Sequence, residues 1–160
     1  MWNPFQRGHR TEPVFLPAPG RMIDLTDVPD PVFAGRSMGD GFAVEPTEGV
    51  FRSPADGELI LVADTGHAFG VRTPGGAELL VHIGIDTVLL KGAGFRVLRT
   101  VGERVRAGDP VVECDLDDVR AAAPSLATPV IVTNGSAFAL TVTDPAAGDT
   151  TAPVATVRRA

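Results

Sequence analysis

Short apolar runs separated by turn-forming residues dominate the pattern of hydrophobic and polar positions along this chain. From Val14 onward, runs of Val, Ile, Leu and Phe recur at intervals of about 8 to 12 residues, which is typical of an antiparallel β-sandwich or barrel. The pattern predicts strands at 21–26, 41–45, 49–52, 57–63, 67–72, 77–83, 96–100, 110–115, 129–133, 138–143 and 153–157. We therefore expect an all-β fold.

One segment follows a helical pattern instead. In DLDDVRAAAP, residues 115–124, Asp115 is a suitable N-cap, acidic residues occupy the first turn, and Pro124 follows three alanines. A side-chain cap and acidic residues stabilise the start of a helix, and proline ends one. The chain is therefore predicted to contain one or two short helices beside its strands.

The length of the chain, 160 residues, is enough for one hydrophobic core and short for two. Residues 1–12 are polar and without periodicity, so they are predicted to form a flexible N-terminal tail. Residues 13–160 are predicted to form a single domain. Within it, LPAPGRMIDL (16–25) resembles SPADGELILV (53–62), since each has a proline, then a glycine, then alternating apolar residues. This weak similarity is compatible with an internal duplication and does not prove one.

Charge and composition narrow the classes of partner. The formal net charge of −6 argues against nucleic acid or an anionic membrane surface as the main partner. No apolar run approaches the roughly 18 to 20 residues that cross a bilayer, and MWNPFQRGHR lacks the apolar stretch of a secretory signal. The single cysteine, Cys114, cannot form an internal disulfide. We therefore expect a cytoplasmic protein without membrane insertion.

A histidine interrupts one of the most apolar runs, ELLVHIGIDT, at residues 78–87. Because side chains alternate between the two faces of a strand, His82 is expected on the face opposite to a continuous aliphatic row formed by Leu79, Val81, Ile83 and Ile85. Gly84 follows on the same face as His82, where its small size is expected to leave room for a partner. Taken alone, the pattern leaves two interpretations of His82 open, a structural histidine with its hydrogen bonds satisfied and a reactive one.

A second histidine, His67, lies fifteen residues earlier in ADTGHAFGV. The turn-forming RTPGGAE between them predicts a hairpin that pairs 67–72 with 77–82 and brings both histidines together. Neutral imidazole is a nucleophile, because one ring nitrogen carries a free lone pair. A second imidazole N–H can hold a phosphoryl oxygen, with the Thr65 hydroxyl orienting that second ring. The pair suits phosphoryl relay, and it also suits half of a zinc site.

Several segments around these histidines resemble the glucose-type enzyme IIA domain of the bacterial phosphoenolpyruvate-dependent sugar phosphotransferase system. The resemblance covers residues 16 to 143 and is carried by DTGHAF, LLVHIGIDTVLLKGAGF, LTDVPDPVFAGRSMGDGFAVEPTEGVFRSPADGELILV, GERVRAGDPVVECDL and LATPVIVTN. It implies an antiparallel β-sandwich or barrel of the duplicated hybrid-motif type. It also implies a phosphotransferase-system component that works through a phosphohistidine.

The same resemblance implies a role for each site residue. His82 matches the histidine that accepts a phosphoryl group from the carrier HPr and passes it to the IIB cysteine of a sugar permease of the glucose or N-acetylglucosamine type. His67 matches the supporting histidine, and Thr65 matches the residue that hydrogen-bonds it. Asp40 and Asp86 match acidic residues at the rim, where basic partners would dock. The resemblance also implies regulation of metabolic enzymes or transporters, and zinc shared by both histidines with a partner; no cofactor is required.

The sequence departs from the family pattern at two positions, and three alternative functions are considered. Gly66 stands where the family usually has Asn, and Leu80 where it usually has Phe. The form G-x-x-V-x-x-G-D-x-V within 101–115 also occurs in lipoyl- and biotinyl-type carrier domains, but the only lysine, Lys91, lacks their flanking residues. A zinc peptidase would require H-x-H, which is absent. A regulatory binding protein that no longer transfers phosphate is the remaining alternative.

Overall fold

The computed structural model describes residues 11–146 and 148–160, and within them the chain forms thirteen strands and two α-helices. The strands are β1 Thr11–Val14, β2 Gly20–Ile23, β3 Gly41–Pro46, β4 Val50–Arg52, β5 Gly57–Val62, β6 Ala68–Arg72, β7 Glu78–His82, β8 Phe95–Val97, β9 Arg104–Val105, β10 Pro110–Cys114, β11 Thr128–Val132, β12 Phe138–Val142 and β13 Ala155–Arg159. The helices are α1 Pro31–Ala34 and α2 Leu116–Ala122, and Leu25–Asp27 and Thr87–Leu90 form short 3-10 helices.

The strands assemble into three antiparallel sheets. The largest has seven strands in the order β2-β3-β11-β7-β6-β5-β9, and two smaller sheets have the orders β1-β13-β12 and β4-β10-β8. Apolar residues from all three sheets share one core, which includes Phe42, Phe51 and Val157. The predicted all-β sandwich with two short helices is therefore confirmed.

The start of the domain differs from the sequence prediction. Residues 1–10 of the predicted tail lie outside the described residues, but Thr11 and Glu12 belong to β1, which pairs with β13. Periodicity missed this strand because its buried position 12 carries a glutamate. The Glu12 carboxylate accepts hydrogen bonds from the Thr73 hydroxyl at 2.6 Å and from Gly75 N–H at 3.1 Å. A satisfied buried carboxylate thus occupies a place where an apolar residue is expected.

Other differences concern short elements. The two residues of β9 and the four of α1 are too few for a period to be recognised, and the last strand begins two residues later than predicted, at Ala155. The predicted helix at 115–124 is confirmed as α2, where the Asp115 carboxylate accepts from Asp118 N–H. Element boundaries therefore account for most of the disagreement.

A second, smaller apolar cluster lies on the opposite face of the seven-stranded sheet. It joins the sheet residues Ala43 and Ile131 to residues of the segment 24–40, which connects β2 to β3; its members are Ile23, Leu25, Val28, Phe33, Ala43, Ile85, Ala127 and Ile131. Ile85 belongs here rather than to the row of Leu79, Val81 and Ile83, because Gly84 with φ +74° breaks the alternation. The segment 24–40, hereafter the cover loop, therefore covers part of this face.

Candidate active site

Both histidines lie at one end of the β6–β7 hairpin. The two strands pair from Ala68 opposite His82 to Arg72 opposite Glu78, which confirms the predicted hairpin. His67 immediately precedes β6, and its carbonyl accepts a hydrogen bond from Ile83 N–H at 2.7 Å. The centroids of the His67 and His82 rings are 5.3 Å apart, and the ring planes meet at 74°. The hairpin register therefore places the two imidazoles edge to face.

The backbone fixes the orientation of the His82 ring. Its Nδ1 lies 2.8 Å from the carbonyl oxygen of Gly84. A carbonyl only accepts hydrogen bonds, so Nδ1 carries the proton and, in the neutral ring, Nε2 carries the free lone pair. This arrangement gives His82 a nucleophilic nitrogen without a separate base.

Gly84 has an internal structural role rather than the expected role of leaving room for a partner. Its φ of +74° is a conformation that glycine adopts readily. A Cβ at this position would lie 2.7 Å from Thr87 Cγ2 and 3.1 Å from the Ser125 carbonyl oxygen. Glycine is therefore required for the turn that brings its carbonyl to His82.

The turn between β5 and β6 orients the second histidine. Thr65 Oγ1 lies 2.6 Å from His67 Nδ1. When the hydroxyl donates to Nδ1, the neutral His67 ring carries its proton on Nε2 and becomes a hydrogen-bond donor. Gly66 between them has φ +77°, a conformation that glycine adopts readily, and a Cβ built there would lie 2.9 Å from Phe95 Cβ. The predicted link between Thr65 and His67 is therefore present.

Burial keeps both imidazoles neutral near pH 7. Burial lowers the pKa of His82 below its ordinary value of 6.5, and the Gly84 carbonyl, Asp30 and Asp86 oppose this effect. Burial, and then the neighbouring His82, likewise lower the pKa of His67. Both rings therefore keep one donor nitrogen and one acceptor nitrogen at neutral pH.

Two carboxylates and one aromatic ring surround His82. Asp86 precedes the 3-10 helix Thr87–Leu90 with a left-handed φ of 57°. Asp30 caps α1 by accepting from Val32 N–H at 2.8 Å, and α1 places the Phe33 ring centroid 5.1 Å from the His82 ring. Neither Asp30 nor Phe33 was predicted to lie at the site, although Asp30 followed by proline is a recognisable helix start.

Asp40, predicted to lie at the rim, pairs with Arg36. Its Oδ1 accepts from Gly41 N–H at 2.9 Å and from Arg36 Nε at 3.0 Å. The carboxylates that act on the pKa of His82 are Asp30 and Asp86. Asp30, which the sequence did not single out, therefore joins Asp86 beside the reactive ring, and the rim position of Asp40 stays a prediction.

Exposed apolar side chains occur on the same two segments as these carboxylates. Val32 and Met38 lie on the cover loop, and Val88 and Leu89 lie on the 3-10 helix after Asp86; Leu89 is 73% exposed. Surfaces that bind protein partners often combine exposed apolar side chains with charged ones. We call these four residues the apolar rim.

Comparison with known proteins places this geometry in a family. Residues 12–138 match the family model described as phosphoenolpyruvate-dependent sugar phosphotransferase system, EIIA 1. The chain is 49% identical over 123 residues to a glucose-specific EIIA component of Halalkalibacterium halodurans, covering 77% of this chain and 71% of that protein. It is 50% identical over 128 residues to a glucose-specific EIICBA component of Streptococcus pneumoniae, covering 80% of this chain and 18% of that protein.

A solved structure supports the same assignment. The glucose permease IIA from Mycoplasma capricolum superposes with a TM-score of 0.88 at 38% sequence identity, covering 98% of this chain and 99% of that one. The match therefore includes β13, which lies beyond the residues of the family model.

Proposed function

This chain belongs to the EIIA 1 family of the phosphoenolpyruvate-dependent sugar phosphotransferase system, and we propose that His82 is the residue on which it carries the phosphoryl group. A component of this kind is a phosphocarrier that passes phosphoryl groups to the IIB domain of a glucose-type permease. The observation that carries the assignment is the hydrogen bond between His82 Nδ1 and the Gly84 carbonyl, at 2.8 Å.

The chemistry follows from the nitrogen that this bond leaves free. His82 Nε2 attacks the phosphorus atom of the phosphohistidine on the donor HPr. As the new N–P bond forms, the donor's N–P bond breaks and its electron pair returns to the donor ring. Catalysis of such a transfer consists mainly of positioning and electrostatic stabilisation. Onward transfer reverses the roles, with the IIB cysteine thiolate as nucleophile and His82 as leaving group.

His67 supports the transferred group without forming a bond to phosphorus. With Thr65 Oγ1 donating to its Nδ1, His67 Nε2–H points a donor at the oxygens of the phosphoryl group on the neighbouring ring. A donor aimed at developing negative charge stabilises the transition state. The 5.3 Å between ring centroids places the two rings close enough for one phosphoryl group to contact both.

Asp30 and Asp86 supply negative charge beside the reactive ring. Carboxylates repel a phosphoryl dianion, which keeps the group transferable, and they attract a partner that presents arginine or lysine. The apolar rim supplies the area that such a partner buries. HPr and the IIB domain would therefore use one surface in turn, and regulated enzymes or transporters would compete for it.

The transfer requires no cofactor, because the neutral imidazole is itself the nucleophile. For zinc, His67 and His82 provide two nitrogen ligands, and the described part of the chain holds no cluster of three or more His, Cys, Asp or Glu side chains. Zinc normally takes four ligands. A zinc ion at this site would therefore be held by both histidines together with ligands from a partner.

A cytoplasmic location suits this role, since HPr and the IIB cysteine must both reach His82. Among the residues that the structure describes, no helix is long and apolar enough to cross a membrane.

Labelled transfer from phospho-HPr tests the assignment. Wild-type protein is expected to gain an acid-labile mass of about 80 Da, one phosphoryl group, on His82. His82→Gln is expected to accept none, whereas His67→Gln is expected to accept the group and pass it on poorly to IIB. His9→Gln removes the remaining histidine of the chain and serves as the matched control. Label on the His82→Gln protein would refute the assignment, and normal onward transfer by His67→Gln would refute the role of His67.

A further inference from the structure

The cover loop carries two of the groups that surround His82. It leaves the seven-stranded sheet after Ile23 and returns to it before Gly41, and Ile23 pairs directly with Ala43 on the neighbouring strand. The two ends of the loop therefore lie side by side. Between them, Asp30 and Phe33 belong to the part of the loop that reaches His82.

Arg36 joins the two ends of this loop. Its Nη2 donates to Asp24 Oδ1 at 3.2 Å, and its Nε donates to Asp40 Oδ1 at 3.0 Å. Each carboxylate is itself held in place, Asp24 by Thr26 N–H at 2.9 Å and Asp40 by Gly41 N–H at 2.9 Å. One guanidinium thus bridges two anchored acceptors on opposite ends of the loop.

The backbone of Arg36 is unfavourable for an arginine. Its φ is 57°, in the left-handed region, whereas the preceding Gly35 has an ordinary φ of −81°. The ion pairs formed by Arg36 are open to solvent, with side-chain exposures of 38% for Arg36, 59% for Asp24 and 60% for Asp40. Exposed pairs contribute little to folding stability, so they do not account for the strained backbone. Strain of this kind concentrates at functional sites.

The position of Arg36 is coupled directly to helix α1. Arg36 N–H donates to the Phe33 carbonyl at 3.0 Å, and Ser37 N–H donates to the Val32 carbonyl at 3.0 Å. The buried Phe33 ring is in turn 5.1 Å from the His82 ring. A displacement of Arg36 would therefore move α1 and change what the His82 ring contacts.

We propose that Arg36 is a positioning residue for His82: by tying both ends of the cover loop, it holds Phe33 against the imidazole and Asp30 at its approach. The effect on phosphoryl transfer rests on the proposed function of His82. The effect on the contact between the two rings does not, because it concerns the unphosphorylated protein alone.

Nuclear magnetic resonance on the labelled, full-length protein tests the contact. The cross-relaxation signals between the Phe33 and His82 ring protons are compared in wild type, Arg36→Ala and Arg36→Lys. Lysine keeps the cation but lacks the planar fork that bridges two carboxylates. Arg21→Ala is the matched control. It removes another exposed ion pair, the one that Arg21 forms with Glu45 at 3.1 Å, on β2 and β3, the two strands that the cover loop connects.

We expect the signal to weaken measurably in Arg36→Ala and less in Arg36→Lys, with Arg21→Ala unchanged, because apolar packing still holds Phe33. Asp24→Asn, which keeps an oxygen for Thr26 but loses the ion pair, is expected to act in the same direction. Acceptance from phospho-HPr, measured as kcat/KM, is expected to fall about tenfold in Arg36→Ala, because misplacing the reacting groups slows the transfer.

The two readouts separate the two hypotheses. An unchanged ring contact in a folded Arg36→Ala protein overturns the positioning role, even if transfer falls, because Arg36 would then act on the partner or the phosphoryl group directly. A weakened contact supports the positioning role. If wild-type His82 accepts no phosphoryl group while Arg36→Ala still weakens the contact, the proposed function fails and the positioning role stands.

Discussion

Replacing Gly84 with alanine is expected to disturb both the fold and the reactive ring. The left-handed φ of +74° would cost an alanine about 1 to 2 kcal/mol. The added Cβ would also lie 2.7 Å from Thr87 Cγ2 and 3.1 Å from the Ser125 carbonyl. Thr87 cannot easily turn away, because it is buried and its hydroxyl donates to the Ile83 carbonyl at 2.6 Å. Overpacking of this kind costs roughly 1 to 3 kcal/mol more.

Gly102→Ala isolates the second contribution. Gly102 has a similar φ of +96°, but nothing lies within 4 Å of a Cβ built there. Both variants place an alanine in a positive-φ backbone. The difference between their free energies of unfolding therefore measures the steric overlap near Gly84. That difference, about 1 to 3 kcal/mol, corresponds to roughly 2 to 12 °C in Tm for a chain of this size. Thermal and denaturant unfolding of both variants measure it.

The same pair of variants tests how His82 acquires its tautomer. Moving the Gly84 carbonyl weakens its 2.8 Å hydrogen bond to Nδ1, so the Nδ1–H form of the ring should become less populated in Gly84→Ala and stay unchanged in Gly102→Ala. The nitrogen chemical shifts of the ring report the tautomer directly. Acceptance from phospho-HPr should fall about fivefold, since a hydrogen bond contributes about 1 kcal/mol. Equal destabilisation of the two variants, with an unchanged tautomer, would refute this reasoning.

Three further predictions concern the same site. Thr65→Val removes the hydroxyl 2.6 Å from His67 Nδ1 and should slow onward transfer to IIB about fivefold; an unchanged rate contradicts the orienting role. The pKa of both histidines is lowered from 6.5, so acceptance should stay constant from pH 8 to about 6.5 and decline only at lower pH. The free energy of unfolding should also decline below about pH 6.5, since the unfolded chain then binds more protons than the folded one. A decline of acceptance or stability already above that pH contradicts the lowered pKa values. Asp30→Asn should slow association with HPr and weaken its salt dependence, measured by rapid mixing, and an unaltered salt dependence would exclude Asp30 from the docking surface.

The sequence predicted the parts of the site that depend on periodicity and turns. Alternation placed His82 opposite the buried Leu79 and Val81, and the turn after Arg72 predicted the hairpin that brings His67 to it. Both inferences needed only local rules of strand geometry. The proximity of the two histidines could therefore be predicted from the sequence alone.

The surroundings of the ring were less accessible, because they come from distant parts of the chain. Asp30 and Phe33 approach His82 through the cover loop, whose path is set by apolar packing against Ala43 and Ile131. Asp40 was named from the family resemblance, and the sequence does not show its ion pair with Arg36. Long-range packing therefore decides which distant groups come near the reactive ring.

The structure also explains how two identical side chains take different parts in one reaction. His82 Nδ1 faces a backbone carbonyl, which only accepts hydrogen bonds, whereas His67 Nδ1 faces a threonine hydroxyl, which can also donate. The carbonyl gives His82 a lone pair on Nε2, and a donating hydroxyl gives His67 a proton on Nε2. A nucleophile therefore stands beside a hydrogen-bond donor, at a ring separation of 5.3 Å. Exchanging the hydrogen-bond partners of the two Nδ1 atoms would therefore exchange the roles of the two histidines.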